Sequence, residues 1–196
     1  RMNNENLEYD YCPSCNKKTL RVTNTVISIP YFGEVLDFTI LCSNCGYKRA
    51  DIMPIEIKEP SRYTIHVESA CDVNIRIVKS STCTIRIPEL GIKVEPGPLS
   101  EGYISNIEGL FSRISQVISM GMRMGHGEEK KKGQELIDKI NKLTEGQETV
   151  CVILEDPLGH STIASEKAIK ESLTEKELKE LKFGDSCFEI VESDIT

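Results

Sequence analysis

Two cysteine knuckles, Cys12-Pro13-Ser14-Cys15 and Cys42-Ser43-Asn44-Cys45, constrain this chain more than any other feature. The pairs are separated by one β-rich stretch of 26 residues and bring four thiolates within the spacing that a tetrahedral zinc ion requires. Two residues between the sulfurs of each pair let the backbone fold around the metal. Gly46, directly after the second knuckle, supplies a cramped turn whose amides can donate to thiolate sulfur. Cys12, Cys15, Cys42 and Cys45 are therefore read as the ligands of one structural zinc. Four thiolates leave no open position for a reacting water, so such a metal folds the chain and catalyses nothing. Disulfides are the competing use of the same residues. The acidic, polar stretch Asn3 to Glu8 is unlike a signal peptide, which argues against them and for a cytoplasmic location. A four-thiolate iron site would use the same sulfurs, but the long loop between the knuckles favours a zinc ribbon.

With 196 residues, the chain has room for the small ribbon and one larger domain. No apolar run approaches the roughly 20 residues of a membrane helix. A net charge of −7 argues against a general nucleic-acid binder, since phosphate binding needs a basic surface. The ribbon alone is mildly basic through Lys17, Lys18, Arg21, Lys48 and Arg49. An RNA-binding ribbon, with Tyr31 and Phe32 stacking on bases, is therefore the alternative reading. Cys71, Cys83, Cys151 and Cys187 are scattered through strand-like runs and read as buried structural thiols.

The ribbon reads as a hairpin: β-branched residues 20 to 29, a turn at Pro30-Tyr31-Phe32-Gly33, and a return over Val35 to Leu41. The module junction is placed between Met53-Pro54 and Pro60-Ser61, with few apolar residues, so the second domain is expected to fold on its own core. Short strands follow at Tyr63–Val67, Val73–Val78, Thr82–Ile87 and Gly91–Glu95, as in a sandwich or barrel. Ile107, Leu110, Phe111, Ile114, Val117 and Ile118 then recur at helical spacing behind a Ser105/Glu108 capping box. A second helix carrying Leu136, Ile137, Ile140 and Leu143 completes a helical hairpin. Thr149 to Leu154 reads as a strand, Asp156-Pro157-Leu158-Gly159-His160 as a loop, 175 to 182 as a helix capped by Thr174 and Glu177, and Cys187 to Val191 as a closing strand.

Taken in order, Ile29-Pro30-Tyr31-Phe32-Gly33-Glu34, Cys42 to Tyr47, Val78-Lys79-Ser80, Ile87-Pro88-Glu89-Leu90, Ile107-Glu108-Gly109-Leu110 and Asp156 to Ser161 carry a family resemblance over roughly residues 10 to 165. The chain resembles the Zpr-type zinc-finger proteins, in the single-unit form found in archaea. The resemblance implies a β-rich α+β fold. A zinc ribbon over 8–53 is followed by a jelly-roll-like double-stranded β-helix domain over 61–193, with the helical hairpin inserted at about 104–145. It also implies a partner, the GTPase elongation factor one-alpha, whose folding the family assists in eukaryotes. His160 stands where the family more often has asparagine.

On that reading the chain is a protein-interaction module or folding chaperone for a translation GTPase. Tyr31, Phe32 and Gly33 at the hairpin tip are the candidate partner contacts. The two rings either anchor a partner or pack into the ribbon's own core. No enzyme is expected: His66, His126 and His160 form no metal-binding pair, and Asp156 beside a proline and a glycine is foremost a turn former. Lys79, Ser80 and Glu89 are assigned no chemical role, since a charged residue beside a strand is ordinarily solvated surface or part of a ladder-supporting pair.

Overall fold

The computed structural model describes residues 9–181. The closing strand expected at Cys187–Val191, and Cys187 itself, lie outside those residues.

The ribbon is a four-stranded antiparallel sheet in the order β1 (Tyr9–Tyr11), β2 (Lys18–Ile29), β3 (Gly33–Cys42) and β4 (Lys48–Pro54). Its long hairpin runs in unbroken register from Leu20↔Cys42 to Ile29↔Gly33, so each end of β3 has a separate task. One end carries a metal knuckle and the other carries the tip. β4 was not anticipated as a strand. It pairs with β3 from Leu41↔Lys48 to Val35↔Pro54 because the second knuckle reverses the chain straight back onto its neighbour.

The larger domain has two sheets. β5 (Ser61–Val67), β7 (Thr84–Ile87), β8 (Ile92–Val94), β10 (Val150–Asp156) and β12 (Ile169–Ser172) form one, in the order β12-β5-β10-β7-β8. β6 (Arg76–Lys79), β9 (Tyr103–Asn106) and β11 (Thr162–Ile163) form the other, in the order β11-β6-β9. Strict alternation in β5 puts Tyr63, Ile65 and Val67 inward while Arg62, Thr64 and His66 face out. Ile77 and Ile163 meet them from the second sheet. On the outer face, the buried Glu155 carboxylate accepts from Arg62 at 2.6 and 3.0 Å and from Arg86 at 2.6 Å, tying three neighbouring strands together. Arg62 also reaches Glu177 of α3 (Glu175–Glu180), whose capping box with Thr174 forms as the sequence suggests.

The helical hairpin consists of α1 (Ile107–Met124) and α2 (Glu128–Thr144). Ile107, Leu110, Phe111 and Ile114 of α1, with Ile140 and Leu143 of α2, join the core between the sheets. The cap of α1 is Asn106, whose side chain accepts from the Gly109 amide at 2.8 Å, and not Ser105. Ser105 is held in β9, opposite Ile77. Gly133 lets α2 approach α1 closely, since a Cβ there would collide with Met122.

Three other expectations change. Cys83 and Cys151 are buried but Cys71 is exposed. Lys79 and Ser80 are buried rather than solvated, while Glu89 is exposed. Lys79 turns its ammonium under the segment following β8, donating to Ser100 Oγ at 2.7 Å and to the Glu101 carbonyl at 3.3 Å beside the Tyr103 ring. The junction between ribbon and β domain is apolar: Ile29, Phe32, Val35 and Ile52 pack with Val78 of β6, flanked by Ile104 and Ala164. Polar contacts surround that cluster. Asp51 accepts the Ser81 amide at 2.9 Å and the Ser81 hydroxyl, Arg49 donates to the Pro98 carbonyl at 3.0 Å, and the Gly102 amide donates to the Ala50 carbonyl at 3.2 Å.

Candidate metal centre

The two knuckles share one backbone plan. In the first, the Asn16 amide donates to the Cys12 carbonyl at 2.8 Å and the Cys12 amide to the Lys17 carbonyl at 2.9 Å. In the second, the Gly46 amide donates to the Cys42 carbonyl at 3.0 Å and the Cys42 amide to the Tyr47 carbonyl at 2.8 Å. The residue after each second cysteine has left-handed backbone, Gly46 at φ 76° and Asn16 at φ 54°. Sequence reasoning found Gly46 but missed Asn16. The signal was present, because asparagine is among the few side-chain-bearing residues that enter this region readily.

The sulfurs of Cys12, Cys15, Cys42 and Cys45 all lie within 4.8 Å of one another, with Cys12–Cys45 and Cys15–Cys42 each at 3.7 Å. A tetrahedron with metal–sulfur bonds of about 2.3 Å has edges of about 3.8 Å, so the donor set fits zinc in both element and size. Leu20, Ile40 and Tyr47 pack beside Cys12 and Cys42, shielding one side of the cluster. Thr19 Oγ1 lies 3.2 Å from Cys42 Sγ, and this hydrogen bond, foremost among its causes, holds the Cys42 thiol down at about 6. Lys17 Nζ donates to Asn44 Oδ1 at 3.0 Å and links the two knuckles. Thr19 and Lys17 had no ligand-type signal in the sequence. They are recognised only once β2 brings them against the second knuckle.

At the opposite end of the hairpin, the Phe32 amide donates to the Ile29 carbonyl at 3.2 Å, closing a turn with Pro30 and Tyr31 at its centre. Tyr31 sits at φ 64° and is 68% exposed; Gly33 follows at φ 109°. Phe32 is buried among the junction residues, with Lys58 Nζ 5.2 Å from its ring centre. The two rings thus separate: Tyr31 faces outward and Phe32 packs inward.

Asp156 is also buried, and it accepts from Ser161 Oγ at 2.5 Å, Ser80 Oγ at 2.7 Å, Thr82 Oγ1 at 2.8 Å and the Leu158 amide at 2.9 Å. The last bond is the turn-forming role expected of it. The three hydroxyls fasten the ends of β6 and β10 to the segment before β11. His160 is half-buried, and burial lowers its pKa against the opposing pull of Asp156 and Asp51. His66 and His126 lie on the surface elsewhere.

A four-cysteine ribbon joined to a two-sheet β domain is also what comparison with known proteins returns. The ZPR1 zinc-finger domain matches residues 7–57 and the ZPR1 jelly-roll domain matches residues 71–183. The chain belongs to the ZPR1 family. A ZPR1-like protein of Methanocaldococcus jannaschii is 45% identical over 92% of both chains. One from Pyrococcus horikoshii is 39% identical over 88% of this chain and 80% of its own length. The zinc finger chaperone zpr1 of Schizosaccharomyces pombe is 31% identical over 76% of this chain, which spans only 34% of that longer protein. The β domain is accordingly a jelly roll, and the cluster is a zinc-finger site whose four cysteines are positioned for one structural zinc ion. Among the described residues, no helix is long and apolar enough to cross a membrane.

Proposed function

We propose that this chain is a zinc-dependent protein-binding module that partners elongation factor one-alpha and assists its folding in the cytoplasm, with no catalysis of its own. Tyr31 is the observation that carries this reading. It occupies the third position of a turn whose positive φ suits glycine or asparagine, yet the residue there is a bulky, exposed aromatic ring. A residue held against its backbone preference at the tip of a metal-anchored hairpin is well suited to be an interface anchor. Phe32 acts from below, fastening the tip to the jelly roll through the junction cluster. Gly33 supplies the backbone freedom that brings the chain back into β3. The name of the fission yeast relative, a zinc finger chaperone, supports the chaperone part, and the family resemblance supports the choice of partner.

The test is co-purification of the elongation factor with the wild-type chain and with Tyr31→Gly. Glycine relieves the turn strain, so the variant should keep its zinc and its melting temperature while losing partner binding. Equal recovery of the factor with both proteins would remove Tyr31 from the interface. Recovery of RNA in a salt-sensitive complex, without the factor, would favour a nucleic-acid ribbon using the basic knuckle end.

A further inference from the structure

Three separate segments meet around the hairpin tip, and each leaves a large apolar side chain in water. Tyr31 is 68% exposed, Ile55 and Ile57 of the segment after β4 are 55% and 98% exposed, and Leu158 before β11 is 43% exposed. Their neighbourhood is set by contacts. The Ile55 amide donates to the Glu34 carbonyl at 3.0 Å, and a Cβ on Gly33 would lie 3.8 Å from Lys58 Nζ and 3.9 Å from Glu56 Oε2. Gly159, next to Leu158, sits against the Glu59 carbonyl with no room for a Cβ. Tyr31 Oη donates to Glu166 at 3.2 Å. Apolar side chains gathered on one surface region mark interaction sites far better than scattered ones do.

The charges around this patch are mostly negative, and Lys167 beside Glu166 is already paired with Asp72 at 2.7 Å. Glu34, Glu56, Glu59 and Glu166 are all exposed, and the nearby Lys58 is already paired with Glu56 at 3.0 Å. The knuckle end of the same hairpin carries Lys17, Lys18, Arg21 and Lys48, all exposed, so the ribbon is basic at the metal and acidic at the tip. An acidic rim disfavours RNA and anionic lipid at this surface, since both would meet like charge. We infer that the tip, the segment after β4 and the loop before β11 form one docking surface for a basic protein segment carrying apolar side chains. This deepens the reading of the chain as a protein-binding module by giving the tip a partner of defined chemistry.

The probe is a fluorescein-labelled amphipathic peptide of leucine and lysine, titrated against the zinc-loaded chain by anisotropy, with a leucine–glutamate peptide as control. Wild type should bind the basic peptide saturably and more weakly as salt is raised, and should not bind the acidic one. The surface variant Ile57→Ser with Leu158→Ser should weaken binding by about tenfold, an effect typical of lost interface anchors. Glu56→Lys with Glu59→Lys should weaken it comparably, whereas Lys18→Glu with Arg21→Glu at the far end should not. All these positions are exposed, so the variants keep the fold. Absence of saturable binding, or tip variants that bind like wild type, would overturn the surface. Purified elongation factor one-alpha should displace the peptide; if it fails to while the peptide still maps to the tip, the surface stands and the elongation factor is the wrong partner.

Discussion

Strands β2 and β10 are each an inner strand of an antiparallel sheet, yet they live in different solvents. Eight of the twelve residues of β2 are exposed, whereas six of the seven in β10 are buried. The jelly roll surrounds β10 with a continuous core of aliphatic side chains and two helices. Among the described residues, no comparable second layer lies over β2 between the knuckles and the tip, and the ribbon's order comes from its two ends. One end is the sulfur cluster and the other is the apolar junction with β6. A small sheet can therefore stand well away from the main core when a metal fixes one end and a neighbouring domain fixes the other.

Removing the metal should break this comparison most sharply. Structural zinc supplies binding free energy on the order of 10 kcal/mol to fingers of this size, so Cys42→Ser should reduce zinc from one ion per chain to nearly none and melt the ribbon strands. Hydrogen exchange should then show protection lost over β2 and β3 but kept over β5 and β10. Uniform loss across both domains would mean that the jelly roll also depends on the metal. The reciprocal change is Leu154→Ala. Leu154 is fully buried at the centre of β10, and truncating it should cost about 2–5 kcal/mol of jelly-roll stability by denaturant melting, with zinc content unchanged.

Features stated by local pattern were legible in the sequence: the sulfur spacing, the short strand at Tyr63–Val67, the apolar stripe of α1 and the Thr174 cap. The junction was not. Ile29, Phe32, Val35 and Ile52 read as a ribbon's own residues, and only the folded chain sets Val78 against them. Lys79 was misread for the same reason, and the hydroxyl contacts of Asp156 stayed hidden behind its turn-forming role. A charged residue at a strand end is ordinarily solvated, and the groups that satisfy these two come from positions far along the chain, Ser100 for one and Ser80 and Ser161 for the other. The strain at Tyr31 was equally hidden, because Pro-Tyr-Phe-Gly announces a turn without saying which residue takes the positive φ.

The junction can be loosened without touching either core. A Cβ on Gly102 would collide with the Asp51 carboxylate and the Ile52 amide. Gly102→Ala should therefore push β4 away from the jelly roll and cost about 1–3 kcal/mol, the usual range for overpacking. Zinc stoichiometry should stay at one while proteolysis in the 55–60 segment accelerates. If neither stability nor cleavage changes, the two domains are not fastened along β4, and the ribbon is held by its metal end and tip alone.

The smallest expected effect separates the acid response of the jelly roll from that of the metal site. Asp72 is buried at the turn after β5, where it accepts Lys167 Nζ at 2.7 Å, the Glu68 and Ser69 amides at 3.1 Å and Ser69 Oγ at 2.9 Å. These bonds, the one from Lys167 foremost, lower its pKa to about 2 against the desolvating effect of burial. A carboxylate whose folded pKa lies below its unfolded one, near 3.9, stabilises the fold fully above about pH 4 and loses that contribution as pH falls towards 2. Lys167 is largely exposed, so water screens its part, and Asp72→Asn should cost about 1–2 kcal/mol at neutral pH. The gap between variant and wild type should hold from pH 7 to about 5 and narrow below pH 4, measured by native-state hydrogen exchange over β5 and β10. A gap that is unchanged at pH 3 would show that Asp72 acts through its shape and hydrogen bonds and not through its charge, leaving the thiolates as the acid-sensitive part of the molecule.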